Sequence, residues 1–563
     1  MPAVKAGSRP PWVGLAAAVW VQIATGASGN FPLYSPALKS VLGYNQRQIA
    51  LLGVANTIGD NFGMLPGVVC NRLTPWVVLL IGAASCFVGY GVIWLAVSQT
   101  VDFLPYQALW IASCIATNAG AWLGTGVLVT NMRNFPYSRG TVAGILKGYI
   151  GLSVAVYTQI YTGVLHSSST NLLLFLTLGV PAICLATMYF VRPCTPAEGD
   201  DPSEHNHFLF TQITSVLLSI YLLLSTFFND MISVNKSVTY ILFSIMVLLL
   251  LSPLAIPLKM TLFPNKKSGI LSSSESSDQL TQDDRDKSEQ LLSVSSSSTN
   301  LGSLQELDDS SDVDILLAEG EGAVQLKKKR RPKRGEDFTF REAFIKADFW
   351  LLFFVFFLSV GSGVTVFNNL AQIGVAAGVD GTTILVCVFS FCNFVGRLGG
   401  GSVSEYYVRS KMLPRSFWMA FTQIIMVMTY FLFSLGLKGT LYASTALLGF
   451  CYGVQFSVLV PTASELFGLK HFGIIYNFML FGSPISTLLL SGTVAGYIYD
   501  EETEKQGGVK CVGPSCFGLT FLVLAGVCSL SSLLSMILTL RIRPVYRMLY
   551  SSGSFRLPRS SDC

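Results

Sequence analysis

A long series of apolar stretches, each about 20 residues and separated by short polar loops, constrains this chain more than any other feature. Trp12–Tyr34, Gln48–Val69, Pro75–Val97 and Gln107–Thr130 open the series. At about 1.5 Å of rise per residue, each can cross a hydrocarbon core about 30 Å thick. A soluble fold has no need of helices so long, so apolar and so many. The chain therefore reads as an all-α polytopic membrane protein. Charged residues make up 12% of it and hydrophobic ones 51%, against about 25% charged in an ordinary soluble domain. The first stretch is too long for a cleavable signal, contains Trp20 and Gln22 and lacks a clear small-residue cleavage site, so it is expected to be retained.

About fourteen spans are predicted. Six come first, at roughly 12–35, 47–69, 75–97, 105–131, 140–165 and 171–191. Two follow at about 208–228 and 238–259, and six more near 348–374, 382–404, 416–437, 440–463, 472–499 and 517–541. The positive-inside rule places both termini in the cytoplasm. That choice leaves Arg72, Arg133, Arg139, Arg192, Arg409, Lys411, Arg415, Arg541, Arg543 and Arg547 inside, with Asp102, Asp380, Asp500, Glu501, Glu502 and Glu504 outside. Lys39 and Arg47 run against the trend outside, and Glu198, Asp200, Asp201 and Glu204 against it inside.

Between the eighth and ninth spans the composition changes. Residues 271–303 are rich in Ser, Asp and Gln without an apolar period, as in a disordered cytoplasmic linker. The basic run Lys327-Lys328-Lys329-Arg330-Arg331-Pro332-Lys333-Arg334 reads as an anchor on anionic lipid heads rather than a nucleic-acid contact. Asp312-Val313-Asp314-Ile315-Leu316-Leu317 has the form of an acidic dileucine sorting signal, which favours the vacuolar membrane over the plasma membrane or endoplasmic reticulum.

Six spans, an interruption and six spans suggest a duplication. After the second span the chain reads Gly67-Val68-Val69-Cys70-Asn71-Arg72. In the corresponding place of the second half it reads Gly401-Ser402-Val403-Ser404-Glu405-Tyr406, preceded by Asn393-Phe394-Val395-Gly396-Arg397-Leu398-Gly399-Gly400. Both copies resemble the Gly-x-x-x-Asp-Arg loop signature of the major facilitator superfamily. Asn71 replaces the acid in the first copy, Glu405 supplies it in the second, and the usual following basic residues are missing. Asn134 through Tyr149, Phe472 through Phe478, and Gly335-Glu336-Asp337-Phe338 are similar to the plant Nodulin-like branch, of the nuclear-fusion-defective type. The resemblance covers essentially the whole chain. It implies a major-facilitator fold of two six-helix bundles with two inserted helices, and a gating role for Asn71, Arg72, Arg397 and Glu405. The implied domains are a first bundle at 1–200, inserted helices at 201–260, a linker at 261–346, a second bundle at 347–545 and a tail at 546–563.

A charge inside a membrane helix is costly unless it faces protein or water. Lys147 shares a helix face with Gly140, Gly144 and Gly151. It either holds an anionic solute or exchanges a proton, or else snorkels to the nearby surface. Asp60 shares a face with Asn56, Gly63 and Gly67. It either carries a coupling proton, or pairs with a lysine, or caps a helix break near Gly59. Asn368, Asn369 and Gln372 lie together at the end of the ninth span, and Asn118, Gln159, Gln455 and Asn477 occur in others. In transporters of the fold it resembles, such amides line the central cavity, although each is equally suited to joining helices. Tyr149, Tyr157 and Tyr161 form a stripe that reads as core packing.

No Walker sequence is present, the four histidines are dispersed, and no cysteine spacing suggests zinc, so no metal or cofactor is expected and no enzymatic activity. Cys511 and Cys516 share a predicted exterior loop and are a candidate disulfide. The expected partners are the bilayer, a small polar or anionic solute and protons, without nucleic acid; oligomeric state is not encoded in any pattern seen here. The function that follows is secondary active transport by alternating access. A transporter-like receptor signalling through the serine-rich linker is the alternative.

Overall fold

In a computed structural model the described residues are 9–44, 46–101, 104–194, 202–231, 236–262, 335–379, 382–436, 438–507 and 511–550. The serine-rich linker, the dileucine pattern, the basic run and the last residues of the tail lie outside them. Among the described residues, thirteen helices are long and apolar enough to cross a membrane. The protein is a multi-pass, all-α membrane protein of two helical bundles. The first bundle holds Arg9–Leu42, Gln46–Val69, Pro75–Val97, Tyr106–Asn134, Arg139–Gly163 and Ser169–Met188. The inserted spans are Pro202–Met231 and Lys236–Leu262. The second bundle holds Ala347–Asn368, Thr382–Lys411, Ser416–Ser434, Lys438–Phe467, Phe472–Gln506 and Ser515–Tyr550.

The second span is not the continuous helix that the sequence predicts. It divides into Gln46–Asn61 and Met64–Val69, each too short to cross alone. The physical reason lies at Gly63, where a Cβ would stand 2.0 Å from the Asn477 side chain of the thirteenth span. Backbone freed at such a break needs partners inside a membrane. Asn118 supplies them, its Nδ2 donating to the carbonyls of Gly59 (2.9 Å) and Phe62 (2.8 Å). Its Oδ1 accepts from the Trp122 indole at 3.0 Å. The first span is interrupted likewise, by a tight 3-10 turn at Gly26–Asn30. The ninth span ends at Asn368, short of the expected 374. Asn369 caps it, and a separate helix continues from Leu370 to Ala376.

Two further boundaries differ from expectation. The last helix was predicted to end near 541 but continues to Tyr550, because Tyr546 and Tyr550 have a buried carboxylate, Glu465, to donate to. Residues 335–346, expected to be linker, are docked: Phe338 is buried, and Thr339 and Glu342 form a capping box on the short helix Phe340–Phe344.

Both described chain ends and the loops around Asn71, Tyr137 and Lys470 meet on one face, called here the basal face. Trp12 lies against Phe135 at 5.0 Å, and Arg133 reaches both Asn71 and Leu469. The bundles meet along two seams. The fifth span packs on the tenth and twelfth, and the second on the thirteenth. Glycines permit it: a Cβ at Gly67 would stand 2.6 Å from the Gly473 carbonyl, and one at Gly401 would stand 2.5 Å from the Gly140 carbonyl. The larger apolar core runs through both bundles, whereas a separate core around Val366, Phe433 and Phe521 fills the second bundle alone. The inserted seventh span rides along the fifth, where Ser138 donates to Glu204 at 2.8 Å and Gln159 meets Ser225. It also touches the second bundle through Gln212 and Ser402, 2.7 Å apart. Replacing Asn118 with Ala should strand two carbonyls at the break and lower unfolding stability by about 2 kcal/mol. Thermal or denaturant unfolding in detergent measures this; unchanged stability would show the break satisfied otherwise.

Candidate functional site

Two layers of charge lie on the seam between the bundles. The deeper one contains Lys147 and Arg397. Gly144 and Gly151 bring the fifth span against the tenth so closely that Arg397 crosses the seam, Nη1 donating to the Lys147 carbonyl at 3.0 Å. Arg397 Nε donates to Asn393 Oδ1 at 3.0 Å, one turn back. Its guanidinium stands 4.8 Å from the Phe456 ring centre, and Lys147 Nζ 5.1 Å from that of Tyr476. Both cations are buried, 8% exposed. Lys147 does not snorkel; it lies over an aromatic ring in protein, where its charge interacts with those of Arg397 and Asp60.

Asp60 faces the first and fourth spans. Its Oδ1 would stand 3.0 Å from a Cβ at Gly120, and Ser28 is its hydrogen-bonding neighbour. Asn56 donates to the Ser28 carbonyl at 3.0 Å. Asp60 and Lys147 lie within electrostatic reach, but among the described residues they form no ion pair. The predicted shared face of Asn56, Asp60, Gly63 and Gly67 ends at Asn61, where the helix does; the two glycines serve the seam with the thirteenth span. Asn477 links the bundles directly, donating to Thr125 Oγ1 at 2.9 Å and to the Gly473 carbonyl at 2.8 Å.

The other amides separate by role. Gln455 is wholly buried among Met419, Thr422, Gln423 and Ser359, joining helices of the second bundle. Asn369 donates to Thr365 and Ser491 at the end of the ninth span. Asn368 and Gln372 are exposed, on either side of the helix break. Asn118 belongs to the break in the second span.

The basal layer is a buried ion network. Glu405, near the end of the tenth span, accepts from the Gly140 N–H in the first turn of the fifth span (2.8 Å), from Arg415 (2.8 Å) and from Arg409 (3.1 Å). Arg415, with a wholly buried side chain, also pairs with Glu465 at 2.8 Å and donates to Ser404 at 3.1 Å. Glu465 in turn accepts from Tyr546 at 2.5 Å and Tyr550 at 2.8 Å. Arg409 reaches across to Tyr137 and Ser138, and Arg139 to the Ser464 carbonyl at 3.5 Å. On the second seam Arg133 donates to Asn71 (3.2 Å), Leu469 (3.0 Å) and Lys470 (3.3 Å). Arg72 is exposed beside it. Sequence reasoning marked Glu405 and Asn71 but passed over Glu465, Arg415, Arg139 and Arg133. Glu465 carried a usable signal, an acid near the end of an apolar span. Far from both layers, Cys511 and Cys516 are joined as a disulfide with Cα atoms 5.9 Å apart.

Paired six-helix bundles, joined at one face over buried charge, are the architecture of the major-facilitator fold. The Nodulin-like family profile matches residues 11–258, and that of the NFD4 C-terminal domain matches residues 336–548. The chain belongs to the plant Nodulin-like, NFD4-type family. Protein NUCLEAR FUSION DEFECTIVE 4 of Arabidopsis thaliana is 28% identical over 96% of this chain and 90% of its own. The uncharacterized MFS-type transporter YhjX of Escherichia coli is 27% identical over 25% of this chain and 36% of its own. Among solved structures, the transporter FucP in its outward conformation is 11% identical, covering 92% of this chain and 98% of that one with a TM-score of 0.45.

Breaking the basal network from one side should cost more than removing it. Glu465→Gln leaves Arg415 buried with half its compensation gone and is expected to lower stability by about 3 kcal/mol. The paired change Glu465→Gln with Arg415→Met should recover part of that loss in the same unfolding assay.

Proposed function

We propose that the protein carries a small organic anion, that Lys147 and Arg397 engage it, and that Asp60 carries a coupling proton. The observation that supports this most directly is that each bundle places a buried cation on the seam, Arg397 donating to the Lys147 backbone carbonyl and the two charges lying within electrostatic reach. Among the described residues, neither Lys147 Nζ nor Arg397 Nη2 has a hydrogen-bond partner in the protein. Two like charges held together in a low dielectric repel. An anion between them relieves that repulsion, and because each bundle supplies one cation, the same contact draws the bundles together. Binding thereby favours closure over the solute, as alternating access requires. Asn477 and Asn56 would orient the solute or the helices around it.

The conformation is closed at the basal face, where Glu405, Arg409 and Arg133 fasten the bundles. Asn71, Arg397 and Glu405 act as gating residues in this reading, with Arg72 at the surface. For solute to leave by that face, the Glu405–Gly140 bond and the Arg133 contacts must part. The basic residues of the basal loops support a cytoplasmic assignment for that face and for both termini. The dileucine pattern supports the vacuolar membrane. The 201–260 helices act as an insertion that braces the fifth span, between bundles at 1–200 and 347–545.

Lys147→Ala should lower uptake by reconstituted protein at least tenfold without loss of folded material, and Lys147→Arg should retain part of the activity. Normal uptake by a well-folded Lys147→Ala protein would remove Lys147 from the mechanism. Asp60→Asn should abolish stimulation by a pH gradient while leaving solute-for-solute exchange intact. Loss of exchange together with gradient stimulation would make Asp60 a structural or solute-binding group instead.

A further inference from the structure

The Gly335-Glu336-Asp337-Phe338 segment, which joins the linker to the second bundle, has no part in solute binding, yet its contacts lead straight to the gate. The twelfth span ends at Phe467, where a helix leaves its last carbonyls without intrahelical partners. The segment supplies donors: Phe338 N–H bonds the Phe467 carbonyl at 3.0 Å, and Gly335 N–H bonds that of Leu466 at 3.4 Å. The Phe338 side chain is 1% exposed and meets the Phe467 ring edge-on at 5.8 Å. Asp337 Oδ1 accepts from the Lys470 N–H at 3.0 Å. It also lies hard over Gly468, whose φ is +75° and where a Cβ would stand 2.1 Å from the carboxylate. Only glycine fits there, on both counts.

The loop held in this way, residues 468–471, is the one that Arg133 of the first bundle grips. One Arg133 nitrogen, Nη2, donates to the carbonyls of both Leu469 and Lys470, and also to Asn71 Oδ1. The convergence of two successive carbonyls on one guanidinium nitrogen depends on the shape of the loop backbone, which Asp337 also holds through the Lys470 N–H.

We propose that Asp337 is a positioning residue for the basal gate, and that the segment Gly335–Phe338 is a strap that holds the 468–471 loop in the shape Arg133 requires. Removing the strap leaves the gate's charged partners in place but lowers the stability of the closed arrangement, so the balance moves toward the basally open one. This rests on the alternating-access mechanism and not on the identity of the solute.

The test uses the full-length chain with spin labels at two exposed basal positions, Leu73 on the first bundle and Lys411 on the second. The native cysteines other than Cys511 and Cys516 are replaced. Asp337→Ala is expected to raise the ratio of long to short label distances about tenfold, the loss of one charge-assisted hydrogen bond. Arg133→Ala should produce a similar shift, and the double variant no more than either alone, because the two act through one loop. An unchanged distance distribution in Asp337→Ala would overturn the proposal. So would shifts that add in the double variant, since they would place Asp337 and Arg133 in independent contacts. Should Asp337→Ala fail to fold, Asp337→Asn carries the same comparison. It keeps the side-chain shape but gives up the charge, and is expected to shift the ratio in the same direction by a smaller factor; no shift would again overturn the proposal.

Discussion

A carboxylate shut away from water organises the basal half of this protein. Glu405 sits near the end of one bundle's helix and accepts from the Gly140 N–H, in the first turn of the other bundle's fifth span, at 2.8 Å. A buried carboxylate has to be paired and hydrogen-bonded to persist. Arg415 provides the pairing, Glu465 pairs with that arginine in turn, and Tyr546 and Tyr550 donate to Glu465. Most of this network belongs to the second bundle alone and survives any movement of the first. What the first bundle adds is the helix end at Gly140 and the neighbouring Tyr137 and Ser138, which Arg409 reaches. In the proposed transport cycle this contact would act as a gate, with a socket kept by the second bundle and a plug supplied by the first.

The same division appears deeper in the seam. Arg397 belongs to the second bundle, yet it makes its cross-seam bond to a backbone carbonyl of the first, not to a side chain. Bonding to a carbonyl leaves the guanidinium charge uncancelled. So does the placement of Lys147 over Tyr476, since an aromatic face softens the cost of a buried ammonium without neutralising it. Asp60 is near enough to sense Lys147 but is held by the first and fourth spans. The centre therefore holds two basic groups, Lys147 and Arg397, without a carboxylate paired to either. A protein that needed only stability would pair or delete such charges; retaining them fits a solute that brings the missing negative charge.

Much of this was legible in the sequence, for physical reasons that also explain what was missed. The helical wheel, which reports direction, put Lys147 on a glycine-lined face with either an interior or a snorkelling side chain, and the side chain is buried. Glu405 stood out by its spacing from Gly401. A wheel cannot report a partner, though, and it fails where a helix stops. The face shared by Asn56 and Asp60 did not extend to Gly63 and Gly67, since the helix breaks between them. Asn118 and Gln455 were equally suited to lining a cavity or joining helices, and hold backbone and side chains together within one bundle. Arg133, Arg139 and Arg415 were counted for topology, as loop charges are, and that bookkeeping concealed their role as fasteners. Asp337 could not have been found this way, because its importance lies in the shape of a loop more than a hundred residues away.

The central claim is that the two basic groups between the bundles serve an anionic solute driven by protons. Uptake by the purified protein in liposomes tests it most directly, with labelled organic anions, amino acids, sugars and metal chelates offered with and without an imposed pH gradient. The account predicts saturable uptake of an organic anion, stimulated when the side from which it enters is the more acidic. Uptake confined to a neutral or cationic solute, or anion uptake indifferent to the gradient with Asp60 intact, would contradict it.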